Sequence, residues 1–396
     1  MKQILRFSYL NKLKKHKDQH IIKVISGIRR CGKSTLIKQF IGSLYKQGVQ
    51  KRQVIYLSLD DVNLENLLDY KKLNKYISDK LLKNKTVYVF LDEIQNVENF
   101  QKTVNSLFLK DNIDIYITGS NAYMLSGELS TLLSGRYIEI QMQTLSFKEY
   151  FTVRAGDVKQ CFDDYLKFTS FPYAANISDS DVIDDYLRGI YSSILLKDVA
   201  QRKKIADITL LESVVKFMFD NIGNIVSSKK ISDTLSSNGR KTTSATVDNY
   251  IGALCESFIL YKCQRFDVKG RQYLKSLEKY YLADIGLRHI LLGNRNLDMG
   301  HILENIVYLE LIRRGYRVNI GKIGNLEIDF VVQSPKEAAY YQVCQTLNTK
   351  ETLEREITPL QKLRDNYRKF IITTDTVSQS IDGIETKNII DFLLDR

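Results

Sequence analysis

Long apolar runs are missing from this chain of 396 residues, and none approaches the roughly 20 residues that a membrane-spanning helix needs. The segment from Met1 to Arg6 has no apolar stretch of the secretory kind, so a cytoplasmic protein is expected. Metal-ligand spacing is also missing. The four histidines are unclustered, and Cys31, Cys161, Cys255, Cys263 and Cys344 are scattered and odd in number. That pattern argues against a zinc site and for reduced thiols. With three prolines and no low-complexity tract, long disordered linkers are not expected. The length has room for two to four domains with sizeable cores.

The net charge of +12 is unevenly spread. Residues 1–50 hold twelve Lys and Arg against one acid, and residues 201–280 hold fourteen against eight. Two basic regions on an otherwise near-neutral chain suggest an anionic partner, nucleic acid first.

The densest information lies in Gly27-Ile28-Arg29-Arg30-Cys31-Gly32-Lys33-Ser34, a complete G-x-x-x-x-G-K-[ST] phosphate-binding loop. Its glycines let the backbone wrap the phosphates with N–H groups inward. Lys33 can reach the β- and γ-phosphates, and Ser34 offers a hydroxyl to Mg²⁺. An apolar run at 21–25 precedes the loop as a buried strand would. Thr35 and the residues after it have helical spacing, which puts the phosphates at a helix N-terminus. ATP with Mg²⁺ is the expected cofactor, held by residues 27–35.

Further strands are expected at 54–59, 87–91, 113–118 and 137–140, alternating with helices as an α/β sheet requires. The third strand runs into Asp92-Glu93. An acid at the end of a buried strand can hold the Mg²⁺ shell through water, and a second acid beside it can polarise the attacking water. Asp92 is therefore assigned to metal, and Glu93 to the general base. Strand four ends in Thr118-Gly119-Ser120-Asn121, where a polar side chain would sit between the strands carrying the loop and the acids. Ser120 or Asn121 could then orient water near the γ-phosphate. Arg136 is a candidate charge stabiliser for a neighbouring subunit, a role that would imply a homo-oligomer.

Together, the loop with its double arginine, Leu91-Asp92-Glu93-Ile94-Gln95 and Thr118-Gly119-Ser120-Asn121 resemble the predicted AAA+ ATPases of bacteria and archaea. Leu132-Leu133-Ser134-Gly135-Arg136 and Leu145-Ser146-Phe147-Lys148-Glu149-Tyr150 match the same family, in which an ATPase core is fused to a C-terminal domain of unknown function. The resemblance spans nearly the whole chain. It implies a P-loop NTPase sheet of five strands, with the catalytic glutamate between the phosphate-loop strand and its neighbour. It also implies the roles given above to Lys33, Ser34, Asp92 and Glu93. It supplies no substrate.

The chain after this α/β core (1–150) divides into a helical lid (151–206), a winged-helix domain (207–285) and a last α/β domain (286–396). Arg188 in the lid is a candidate γ-phosphate sensor, although a plain structural helix is the stronger reading. The winged helix rests on three helical segments and two strands, at 259–262 and 279–282, flanking a polar tip. Arg240, Lys241, Lys269 and Arg271 are its candidate DNA contacts, although such folds also dock proteins. The last domain places Glu304 on a helix and Asp329 on a strand, which resembles the metal-dependent restriction-endonuclease core. Gln342 and Cys344 stand where that core has a carboxylate and a lysine, so a nuclease-like fold without nuclease activity is expected. The functional expectation is an ATPase acting on a DNA or protein partner. A slow nucleotide-gated binding switch and an ATP-controlled nuclease are the alternatives.

Overall fold

The computed structural model describes residues 4–122, 133, 135–270, 272–273, 277–293, 299–335, 337–376 and 379–396. The chain forms two units, one of residues 1–144 with 256–258, the other of 145–255 with 259–396.

The first unit is a parallel sheet with helices packed on it. Its elements are α1 (Phe7–Lys15), β1 (Ile22–Ser26), α2 (Lys33–Lys46), β2 (Val54–Ser58) and α3 (Tyr70–Ser78). They continue with β3 (Val87–Asp92), α4 (Phe100–Phe108), β4 (Ile113–Gly119) and β5 (Tyr137–Gln141). Every residue of β1, β3 and β4 is buried, as mostly apolar strands covered on both faces require. The five strands lie in the order β2-β3-β4-β1-β5. The acids leave β3, which β4 separates from the phosphate-loop strand β1. The expectation that the end of strand four would lie between the loop and the acids holds.

Two charges are buried among these strands. Lys23 Nζ on β1 lies 2.5 Å from Asp114 Oδ1 on β4, and Tyr116 and the Asp18 backbone N–H donate to Asp114 Oδ2. Burial lowers the Lys23 ammonium and raises the Asp114 carboxyl from their ordinary values, with each partner's charge opposing the shift. The pair thus pins β1 to β4 at a desolvation penalty.

The second unit starts before the expected boundary at 150. Its first helix, α5 (Phe147–Arg154), opens with a capping box in which Ser146 and Glu149 exchange hydrogen bonds. Next come α6 (Val158–Lys167) and α7 (Ser180–Ser193). The chain then continues as a π-helix, Ile194–Gln201. Then follow α8 (Ile208–Asp220), β6 (Ile225–Val226), α9 (Ser228–Ser237), α10 (Ser244–Glu256), β7 (Leu260–Cys263), β8 (Arg265–Asp267), β9 (Gln272–Tyr273) and β10 (Glu278–Leu282). Strands β6, β10 and β7 make a three-stranded antiparallel sheet in that order. The segment between β7 and β10 is not a free tip: β8 pairs in parallel with a strand of the last domain.

That domain contains α11 (Ile285–Leu292), α12 (Met299–Arg313), β11 (Arg317–Ile323), β12 (Leu326–Gln333), β13 (Ala338–Val343), α13 (Lys350–Gln361) and β14 (Arg368–Thr373). It closes with β15 (Ser380–Ile381), β16 (Ile384–Asn388) and α14 (Ile389–Leu394). Its eight-stranded sheet runs β15-β16-β14-β13-β12-β11-β8-β9. Ile328, Val331, Tyr340, Leu360 and Ile371 are central to the apolar layer between this sheet and α13. Among the described residues no helix is long and apolar enough to cross a membrane.

The buried pair gives a direct test. Asp114→Asn leaves the Lys23 charge without its counter-ion and should destabilise the protein by about 3–5 kcal/mol in urea unfolding. Combining it with Lys23→Met should recover most of that loss.

Candidate nucleotide-binding site

β1 delivers the chain into the phosphate loop, and local backbone geometry explains the loop's glycines. Gly27 has φ +142°, and a Cβ there would lie 2.0 Å from the Met142 carbonyl oxygen. Gly32 caps α2 from a left-handed conformation at φ +104°. Arg30 also has positive φ, at +68°, which for a non-glycine residue costs on the order of 1–3 kcal/mol. The loop therefore turns tightly onto the start of α2, whose first N–H groups lack helical partners and attract anions.

Lys33 is the first residue of α2 and is buried. Its Nζ donates to the carbonyls of Gly27 (2.9 Å) and Ile28 (3.2 Å) and lies 3.9 Å from Glu93 Oε1. Ile28 and Cys31 are buried, Arg29 and Ser34 half-buried, and Arg30 and Thr35 exposed. Burial pushes the Cys31 thiol up, so it stays protonated. The sequence reading missed Arg6. This buried arginine donates to the Cys31 carbonyl at 3.1 Å, and to those of Gln143 and Thr144 at 2.8 and 3.1 Å. It braces the loop from outside the motif. One more basic residue in a basic N-terminal stretch gave no signal of that role.

The acids are held from both sides. Asp92, buried at the end of β3, accepts from Thr118 Oγ1 through Oδ1 (2.5 Å) and from Tyr56 OH through Oδ2 (3.0 Å). Burial and the Asp92 charge push the Tyr56 phenol up to about 12, so it remains a donor. Glu93 has φ +53°, and its N–H donates to the same Thr118 hydroxyl at 2.9 Å. Gln95 Nε2 donates to Glu93 Oε2. Lys33, Asp92 and Glu93 therefore meet at one end of the sheet as the sequence predicted. Tyr56 and Thr118 are the holding residues that it did not name.

Ser120 and Asn121 are both buried just beyond β4. Ser120 Oγ has no hydrogen-bond partner among the described residues, which leaves it able to bind a ligand group. Arg136 is not brought to this chain's own phosphate loop. It lies at the start of β5, and its carbonyl accepts from Ile22 N at the opening of β1. The β1–β5 register pairs Ile22 with Tyr137 and Ser26 with Gln141, so Arg136 is a strand's length, roughly 13 Å, from the loop. Its guanidinium donates to Asn105 Oδ1 at 2.6 Å and stacks over Phe108. That is an anchoring role at the far edge of the sheet. Arg188 is exposed on α7 in the second unit. Leu132 and Ser134 lie outside the described residues.

The donor set suits magnesium. Ser34 and Asp92 supply hard oxygen atoms, and among the described residues no three His, Cys, Asp or Glu side chains form an all-protein metal cage.

Comparison with known proteins agrees with this geometry. Residues 19–151 match the family model of an AAA domain, and residues 159–298 match a domain of unknown function. An uncharacterized protein of Haemophilus influenzae is 40% identical over 400 residues, covering 99% of this chain and 98% of its own. This chain belongs to one family with it. An uncharacterized protein of Methanocaldococcus jannaschii is 29% identical over 381 residues, covering 92% of this chain and 83% of its own. In fold, the chain is similar to a Walker-type ATPase of Pyrococcus abyssi, with a TM-score of 0.51 and 14% identity. That likeness covers 73% of this chain and 95% of the other. An AAA-type P-loop ATPase core that binds ATP is the reading these matches support.

The chain carries a second ionisable cluster in its last domain. Lys279 Nζ on β10 lies 2.9 Å from Glu304 Oε1 and 2.8 Å from Glu327 Oε1, and Tyr281 OH donates to Glu304 at 2.6 Å. Burial alone would lower Lys279, but Glu304, Asp329 and Glu327 outweigh it and raise it. Burial would likewise raise Glu304, but Lys279 and the hydrogen bonds from His301 and Tyr281 hold it low. Asp329 is pushed well above the carboxylate range by burial and by Glu304. Gln342 accepts from Asp329 N at 2.7 Å and donates to Glu356 at 2.9 Å. The Cys344 thiol is raised to about 12 by burial and Glu356. The sequence reading had Lys279 only as a strand residue. In space it is the resident cation of the acids it flagged.

The basic residues proposed for nucleic acid have mixed fates. Arg240 NH1 donates to Thr209 O and Ser213 Oγ, both at 2.7 Å, and so is already engaged. Lys241 is exposed, as is Lys269 on the β8–β9 turn, while Arg271 lies outside the described residues.

Gly27→Ala should weaken ATP binding at least about tenfold, a difference of about 1.4 kcal/mol, in titration with a fluorescent ATP analogue. Lys33→Ala should do the same without lowering the melting temperature.

Proposed function

We propose that the protein is a magnesium-dependent ATPase whose nucleotide cycle acts on a DNA or protein partner. The convergence of Lys33, Asp92 and Glu93 beside the phosphate loop carries this reading. Lys33 exchanges its loop carbonyls for β- and γ-phosphate oxygens. Glu93 takes a proton from a water whose oxygen attacks the γ-phosphorus, while the bond to the β–γ bridging oxygen breaks and ADP leaves. Magnesium, when bound, supplies charge neutralisation at the phosphate oxygens, with Ser34 and Asp92 as its protein-side groups. Ser120 or Asn121 orients the water and reports hydrolysis.

The partner module is residues 207–285, read as a winged helix. Its order of helix, short strand, two helices and two antiparallel strands supports that reading, with α10 as the reading helix. Lys241 and Lys269 are the basic side chains most free to meet phosphates. The last domain is read as nuclease-like in fold, from a helix and three antiparallel strands followed by a helix and a parallel strand. Its cutting activity is read as lost, because Lys279 already neutralises the acids. A cytoplasmic setting fits the reduced cysteines, all five of which are free.

Glu93→Gln should lower kcat by about 10²–10⁴-fold with nucleotide affinity kept, measured by phosphate release with and without duplex DNA. Equal inertness of wild type and variant would favour the slow nucleotide-gated switch instead. Filter binding of duplex DNA across a salt series tests the partner: Ala at Arg240, Lys241, Lys269 and Arg271 together should weaken binding and flatten its salt slope. Unchanged affinity would point to a protein partner.

A further inference from the structure

Gln95 belongs to the motif that carries the two acids, yet none of the chemistry above uses it. It lies on the single 3-10 turn Ile94–Asn96, whose N-cap is Glu93. The left-handed backbone at Glu93 turns the chain so that the amide two residues on faces back to the carboxylate. Its two oxygens then have different neighbours. Oε2 accepts from Gln95 Nε2, whereas Oε1 is 3.9 Å from Lys33 Nζ and faces the phosphate loop.

We propose that Gln95 is a positioning residue for the general base, holding Oε2 so that Oε1 is the oxygen presented to the attacking water. This rests on the reading of Glu93 as the base. The other end of the same amide supports a working role over a structural one. Gln95 Oε1 is buried and has no hydrogen-bond partner among the described residues. An amide kept for the fold is normally tied at both ends. This one is oriented only by what it gives to Glu93. Thr118 fixes the backbone of Glu93 through its N–H. Gln95 fixes the rotation of the carboxylate, which the backbone alone leaves open.

The test is a double-mutant cycle on ATP hydrolysis with Gln95→Ala, Gln95→Leu, Glu93→Gln and the combined variants. Leu keeps the side-chain bulk and removes the donor, so it reads the hydrogen bond apart from packing. Each single Gln95 variant should lose about 10- to 100-fold in kcat, with the dissociation constant of a fluorescent ATP analogue within about twofold of wild type. Placed on Glu93→Gln, the same changes should cost nothing further, because a residue acting through the base has nothing left to position. Three results overturn the proposal: kcat within about twofold of wild type, an undiminished loss in the Glu93→Gln background, or a loss confined to nucleotide affinity. A wild type no faster than Glu93→Gln removes the hydrolysis reading, and this proposal with it. A wild type that turns over, with Gln95 variants equally fast, removes this proposal alone.

Discussion

The hydroxyl of Thr118 gives its proton to Asp92 and takes the N–H of Glu93, so one side chain sets the place of both acids. It stands on β4, which is hydrogen bonded to β1 on one side and β3 on the other. The phosphate loop leaves from β1 and the acids leave from β3. Their separation is therefore fixed by a strand that contributes no charge of its own to the chemistry. The buried Lys23–Asp114 pair ties the same two strands, β1 and β4, at an earlier position along them. Register in the middle of the sheet is thus held by an ion pair and by a hydroxyl at the site. The loop's lysine and the base depend on both.

Much of this was readable in the amino-acid sequence because it is local. The loop, the strand that precedes it and the acids of β3 are short patterns with fixed spacing, and each landed where its pattern placed it. The position of strand four between the loop and the acids was also legible. What the sequence leaves open needs distance in space. Arg136 follows a glycine and precedes a strand, as a catalytic arginine might, but the parallel register of β5 with β1 sends it to the opposite end of the sheet. Arg6 and Tyr56 carry no motif, and their value comes from carbonyls and a carboxylate far along the chain. No pattern of neighbours announces such a contact.

The second unit shows the same division. Its helices and strands were foreseeable from periodicity. The sequence could not say that β8 leaves the three-stranded sheet to extend the eight-stranded one. Nor could it say that Lys279, on a neighbouring strand, meets Glu304. Period-two alternation predicts that a strand exists and which face is apolar, not which sheet will recruit it.

Lys279 has a mechanical consequence. Its backbone belongs to the three-stranded sheet, while its ammonium sits between Glu304 on α12 and Glu327 on β12. Apolar layers can slide past one another with little penalty, but this charge cannot move off its carboxylates without leaving them bare in a buried setting. The helical module and the last domain are therefore riveted.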